Sequence, residues 1–156
     1  MKYLSCIFLL LSFSSFSQNE GNIWYFGENA GLDFNSGVPV ALTNGQLVTQ
    51  EGCATISDDN GDLLFYTDGL VVYNKNHLVM PNGTGLLGDN SSTQSAIIVK
   101  KPGSNIIYYL FTVDGTGANV GLQHGLCYSE VDMSLQGGVG DINANKNIAI
   151  NALTCE

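Results

Sequence analysis

Asp58-Asp59-Asn60-Gly61-Asp62 places side-chain oxygens at alternating positions 58, 60 and 62, the spacing with which a calcium loop offers hard ligands to a divalent cation. The match to a helical calcium loop is incomplete. Leu63 stands where glycine would follow the third ligand, and Gly69 stands where the bidentate glutamate would be. An Asn-Gly hairpin turn with solvated carboxylates accounts for the same residues. Asp58, Asn60 and Asp62 are therefore the weak calcium candidates of the chain, and no other cofactor is expected. Glycoside hydrolysis would need two carboxylates about 5–10 Å apart. Asp68 and Asp114 are the natural pair, because each opens an Asp-Gly corner in one of two similar segments, although a repeated corner explains that match equally well. Acyl transfer lacks a Gly-x-Ser-x-Gly elbow, and only His77, beside an Asn-rich turn, and His124, in a Gly-flanked loop, could act as bases. No catalytic residue is assigned.

Recognition could instead use aromatic faces. Trp24, Tyr25, Phe26, Tyr66, Tyr73, Tyr108, Tyr109 and Tyr128 can stack on sugar rings or fill a core, and core filling is the stronger expectation. Ser91 to Ser95 is a polar segment before a strand and reads as a connection or a rim loop that touches a ligand. Asn82-Gly83-Thr84 and Asn90-Ser91-Ser92 have the form of glycosylation acceptors, a match that a bacterial source would make incidental.

The elements that hold these residues follow from composition and pattern. The 156 residues are 44% hydrophobic, enough to build one domain's core, and contain 19 Gly, 3 Pro and no Arg. A net charge of −9 excludes a phosphate backbone as a partner. Lys2, the apolar run Tyr3 to Leu11 and the small-residue site Ser15-Phe16-Ser17 read as a signal peptide over residues 1–17, with a run too short to cross a bilayer. Cys6 lies before most of that run, which is the wrong place for a lipidated cysteine. Removal of residues 1–17 leaves 139 residues, no membrane span and a charge of −10. Cys53, Cys127 and Cys155 remain. Their number is odd and their spacing fits no zinc site, so they are disulfide candidates with unknown pairing.

No stretch of the mature chain carries an uninterrupted helical pattern, whereas short β-rich runs are frequent. These are Trp24-Tyr25-Phe26, Asp62 to Tyr66, Leu70 to Tyr73, Ala96 to Val99, Ile106 to Val113, Gly125 to Met133 and Asn147 to Ile150, bounded by Gly, Asn, Asp or Ser. Ala54-Thr55-Ile56-Ser57, Leu63 to Gly69 and Val71 to Asn74 resemble Ala96 to Val99, Tyr108 to Gly115 and Gly125 to Ser129, with Ala54 and Ala96 separated by 42 residues. The second unit carries extra residues, Thr116 to Gln123, in the loop after Asp114-Gly115, and a Pro102-Gly103 turn where the first has Asn60-Gly61. The period suits the four-stranded antiparallel blades of a WD- or kelch-like β-propeller. It predicts an all-β fold in which residues 18–156 make about three blades, fewer than the roughly four to eight of a closed propeller. The chain is thus expected to be the N-terminal fragment of a longer one. The alternative is a complete small β-sandwich.

Ile23-Trp24-Tyr25-Phe26-Gly27-Glu28-Asn29-Ala30-Gly31-Leu32-Asp33-Phe34, Glu51 to Asp58 and Gly61 to Gly69 resemble the amino-terminal propeller region of large surface proteins from gliding Bacteroidota. Val72-Tyr73-Asn74, His77 to Gly83, Ser91 to Ala96, Tyr108 to Asp114 and Tyr128 to Met133 continue the likeness in order and spacing. It covers roughly Asn22 to Ile150. The resemblance implies a type IX-secreted, gliding-motility-associated architecture, in which PKD modules and a carboxy-terminal sorting domain follow the propeller and engage the secretion machinery. Neither is found in these 156 residues. The expected role is a secreted or outer-surface binding or display module for adhesion or extracellular polymer recognition, without catalysis. The alternatives are a calcium-dependent glycan-binding module and part of a secreted polysaccharide-degrading enzyme.

Overall fold

The computed structural model describes residues 19–115 and 124–151. The signal segment over residues 1–17, the loop from Thr116 to Gln123 and Cys155 lie outside the described residues. Among these described residues, after a 3-10 turn at Asn19–Gly21, every regular element is a β-strand and every pairing between strands is antiparallel. No helix among the described residues is long and apolar enough to cross a membrane.

Three meanders follow one another along the chain. The first joins β1 (Ile23–Phe26), β2 (Ala30–Asp33) and β3 (Val40–Leu42). The second joins β4 (Ala54–Ser57), β5 (Leu63–Thr67), β6 (Val71–Asn74) and β7 (Val79–Thr84). The third joins β8 (Ala96–Lys100), β9 (Ile107–Val113), β10 (Leu126–Asp132) and β11 (Asp141–Ile142), with β12 (Ile148–Asn151) also pairing with β10. None of the three sheets closes on itself. Open antiparallel sheets packed face to face satisfy the small-sandwich expectation; closure into a propeller is not made by the described residues.

The strands form where β-branched and aromatic residues alternate in environment. β9 is the clearest case, since Tyr108, Leu110 and Thr112 are buried while Ile107, Tyr109, Phe111 and Val113 are partly exposed. Turn chemistry sets the register. Between β4 and β5, Gly61 adopts φ +89°, Gly61 N–H donates to Asp58 O, and Asp58 N–H donates to Asp62 O.

The second sheet is the middle layer. Its Ala54, Ile56, Phe65, Val72 and Met80 meet Ala96, Ile98, Tyr108, Leu110 and Val131 of the third sheet in the main core. Its other face presents Tyr66 and Tyr73 to Tyr25 and Leu47 from the first sheet's side. Thr55 ties the two layers, accepting Tyr25 N–H at 2.9 Å and donating to Tyr25 O at 3.3 Å.

The strand directions matter for the repeat. Just before β4 and β8, Gly52 N–H donates to Ser92 O, and at the far end of both strands Lys100 pairs with Asp59. β4 and β8 therefore run side by side in the same direction, with β7 and β11 adjacent at the opposite edge. β1 runs against β4: Asn19, before β1, bonds Asp59 O past the end of β4, while Tyr25, near the end of β1, accepts from Cys53 at its start.

Two sheets stacked in one direction present opposite faces to each other. The residues matched at Ala54 and Ala96 nevertheless point into the same interface. The spatial repeat is thus displaced by one residue from the 42-residue alignment. Val113 N–H donates to Ser95 O, so Ser95 and Val113 take the places of Ala54 and Thr67. In this register Asp68 and Asp114 stay matched, and Ile56 and Phe65 become equivalent to Ile97 and Phe111. Sequence similarity matched the strands one residue out because Ala96 to Val99 is an unbroken apolar run, with no alternation to mark which residues share a face.

Candidate functional site

The side chains singled out for catalysis are engaged in turns. Asp68, 8% exposed, accepts Leu70 N–H and Val71 N–H on one carboxylate oxygen and so caps the corner between β5 and β6. Asp114, 4% exposed, accepts the backbone N–H of His124 across its loop. Each carboxylate organises its own corner. Asp58 Oδ1 likewise accepts the N–H groups of Asn60 and Asp62 at 2.8 and 3.0 Å, while Asp59 reaches Lys100. Asp58, Asn60 and Asp62 share one turn, and among the described residues no three His, Cys, Asp or Glu groups gather as a metal site. Cys53 and Cys127 are free thiols among the described residues. Burial pushes both thiols up, with a nearby carboxylate adding to the shift, Asp68 for Cys53 and Asp114 for Cys127. Neither has the thiolate character of a nucleophile.

His77 is where the structure adds most. It lies in the β6–β7 turn at φ +61°, with Tyr25 and Tyr66 against its ring. Tyr25 and Tyr66 stack at 4.6 Å, and Tyr66 and Tyr73 at 5.3 Å. Tyr25 Oη donates to Asn44 Oδ1 at 2.9 Å, which leaves the Asn44 amide nitrogen to donate to His77 Nε2 at 2.8 Å. The neutral ring assigned by this network carries its proton on Nδ1, facing Tyr66 Oη at 3.1 Å. Tyr66 Oη also accepts Gln46 N–H at 3.2 Å. Burial pushes the Tyr66 phenol up to about 12, against the pull of the Gln46 N–H.

Burial also holds His77 below its ordinary value of 6.5, and protonation at Nε2 would set two donors against each other. The sign of the pH effect follows. Between the lowered folded value and 6.5 the unfolded chain binds a proton that the folded chain does not, so stability is lost as pH falls through that window. His77→Gln is expected to flatten the fall in melting temperature between about pH 7.5 and 5, measured against the parent protein. An unchanged slope would remove His77 from the pH response.

Another polar assembly escaped the sequence reading. Glu130, 6% exposed, accepts Lys101 at 2.7 Å, Asn143 at 3.0 Å and Asn145 at 3.1 Å. Those bonds hold its carboxyl down at about 2. They also fix the segment between β11 and β12 against β10. The partners lie up to 29 residues away in sequence, so no local pattern announces them.

Three larger clefts open on the surface. One of about 470 Å³ has a rim of Glu51 and Ser91 to Gln94 above an apolar wall of Ile97, Phe111, Val113 and Leu126. Thr93 Oγ1 donates to Glu51 Oε2 at 3.1 Å on that rim. A cleft of about 340 Å³ lies over Asp58, Asp59, Asn60 and Lys100. The cleft with the chemistry of recognition, about 400 Å³, runs where β1, β4 and β8 come together, lined by Trp24, Phe26, Thr55, Gln94 and Ile98. It is smaller than the first, but it sets the exposed indole of Trp24 beside the exposed amide of Gln94.

Trp24 is 51% exposed yet held in place. Its Nε1–H donates to Gly21 O at 2.7 Å, and its ring rests 5.0 Å from Phe34. An indole fixed at its polar end and open on its face is arranged to stack on a flat apolar surface such as the C–H face of a sugar ring. Gln94 supplies a donor and an acceptor beside it. The Tyr25, Tyr66 and Tyr73 rings, by contrast, fill the layer between the first and second sheets. In comparisons with known proteins, the chain matches no family model, no curated protein and no solved structure.

Proposed function

We propose that the chain is an exported, surface-displayed binding module that holds an extracellular glycan in the Trp24 cleft and carries out no reaction on it. The fixed, open indole beside Gln94 is the observation that supports this most directly. The same-direction stacking of the second and third meanders is the relation between successive blades of a propeller, and β4 and β8 then lie toward the axis. The resemblance of Ile23 to Phe34 and Glu51 to Gly69 to propeller regions of gliding Bacteroidota surface proteins supplies the proposed setting: type IX secretion, an outer-surface location and a role in adhesion.

The test exploits the chain's single tryptophan. Titration with a panel of soluble polysaccharides is expected to shift Trp24 emission for at least one of them. Trp24→Ala is expected to weaken binding of that polysaccharide about tenfold, measured by calorimetry, as loss of one stacking face worth about 1.5 kcal/mol predicts. Silent emission across the panel, or equal affinity in the variant, would overturn the assignment.

A further inference from the structure

The Trp24 cleft does not end at Gln94. Gln94 and Ile97 line both this cleft and the one of about 470 Å³, so the two clefts meet at these side chains. Beyond the meeting point the floor crosses the third sheet. Ile97 on β8 pairs with Phe111 on β9, and Val113 on β9 pairs with Leu126 on β10, so the apolar wall spans two strand spacings, about 10 Å. The equivalent residues of the second sheet, Ile56 and Phe65, pack into the main core. In the third sheet no described element covers this wall, and Ile97 is 45% exposed.

The rim above the wall is polar and held in place. Ser91, Thr93 and Gln94 are exposed, but the segment that carries them is tied down. Asp89 Oδ1 accepts the Ser91 N–H and hydroxyl, each at 2.8 Å, Ser92 O accepts Gly52 N–H at 3.1 Å, and the buried Ser95 hydroxyl donates to Asp68 O at 2.6 Å. Thr93 is linked to Glu51 across the rim. Hydroxyls, an amide and a carboxylate presented on so fixed a segment can exchange hydrogen bonds with a ligand's hydroxyl groups at little further loss of freedom. Charge narrows the ligand. Among the described residues that line either cleft, Glu51 alone carries a charge, in a chain with fourteen acidic residues against five lysines. A uronic-acid or sulfated chain would meet a carboxylate there and no cation.

We propose that the two clefts are one extended site, in which an uncharged polysaccharide chain lies with one sugar ring on Trp24 and its following units over Ile97 and Phe111, beside the rim of Thr93 and Glu51. The inference rests on the glycan reading of the Trp24 cleft and deepens it, naming the ligand as a neutral chain longer than a disaccharide. Trp24 is the anchor. Phe111 supplies a second apolar face for the C–H side of a sugar ring, and Gln94, which lines both clefts, bonds to hydroxyls of the unit between them. Chain length is then what the site selects, since only a chain that reaches both faces gains from both.

Calorimetric titration with cello-, laminari- and manno-oligosaccharides, from disaccharide to hexasaccharide, and with galacturonic acid oligomers of the same lengths, tests the site, with Trp24 emission followed in parallel. For at least one neutral series, affinity is expected to rise about tenfold from disaccharide to hexasaccharide, and the acidic hexamer is expected to bind about tenfold more weakly than the neutral one. Phe111→Ala is expected to remove the gain with length and leave the disaccharide affinity at the parent's value, whereas Trp24→Ala weakens every length. Thr93→Ala, at an exposed position, is expected to weaken the hexasaccharide about threefold and the disaccharide not at all, and it carries the test if Phe111→Ala melts lower than the parent. Equal affinity at every length, an undiminished gain in both variants, or acidic oligomers bound as tightly as neutral ones would each overturn this inference and leave the Trp24 assignment standing. Neither heat nor an emission change with any oligosaccharide would overturn both.

Discussion

Phe65→Ala is expected to lower the melting temperature by about 10 °C or more. Phe65 has no exposed surface and lies at the centre of the core shared by the second and third sheets. Its ring meets Tyr108 edge to face at 5.7 Å, with Val72, Met80, Leu110 and Val131 in the same cluster. Truncation removes the transfer free energy of the ring and leaves a cavity that strands on both sides cannot close, a loss of about 3–5 kcal/mol. For a domain of this size each kilocalorie corresponds to roughly 3 °C. Phe65→Leu keeps most of the volume and is expected to cost about 1.5 kcal/mol or less. Urea melts of both variants make the check. If the alanine variant lost less than about 1 kcal/mol, the two sheets would not be joined through this ring.

Why Phe65 could be placed in a strand but not on a face shows how far residue patterns reach. The runs Asp62 to Tyr66, Ala96 to Val99, Ile106 to Val113 and Gly125 to Met133 overlap β5, β8, β9 and β10, because aromatic and β-branched residues there outweigh every competing preference. The Asn60-Gly61 turn was equally legible, since its geometry requires a residue content that few other conformations share. β7 was not. Its residues Val79 to Thr84 include Pro81, Asn82 and Gly83, and only its place at the end of the sheet allows them. β2 and β3 are only four and three residues long, too short to show a period, so their strand form comes from pairing, β2 with β1 and β3 with β2.

The candidate sites divide in the same way. Asp58, Asp68 and Asp114 were recognisable as turn residues, and the structure gives each a turn partner. Trp24 was visible only as one aromatic among eight. What separates it from Tyr25, its neighbour, is strand alternation: Tyr25 is 4% exposed and Trp24 51%. The His77 network was hidden for another reason. Asn44 and His77 are 33 residues apart and belong to different layers, so only their packing makes them partners.

Gly52→Ala is expected to destabilise the protein by about 3 kcal/mol and to weaken glycan binding as well. Gly52 precedes β4 at the point where the approach to β4 meets the approach to β8. A methyl group there would fall well inside contact distance of the Ser95 amide nitrogen and 2.8 Å from Ser92 O, both backbone atoms that no side-chain rotation can move away. Ser95 cannot retreat. It is fully buried, its hydroxyl donates to Asp68 O at 2.6 Å, and its carbonyl accepts Val113 N–H at 3.1 Å. The two first strands must therefore separate, which opens the interface filled by Phe65 and shifts Gln94, the residue immediately before Ser95, relative to Trp24. Gly21→Ala is the matched control, because its added methyl meets nothing within 4 Å. It is expected to stay within about 0.5 kcal/mol of the parent. Thermal melts read the first effect and Trp24 emission the second. A Gly52→Ala protein as stable as the control would mean that the close approach before β4 and β8 does not hold the second and third sheets in register.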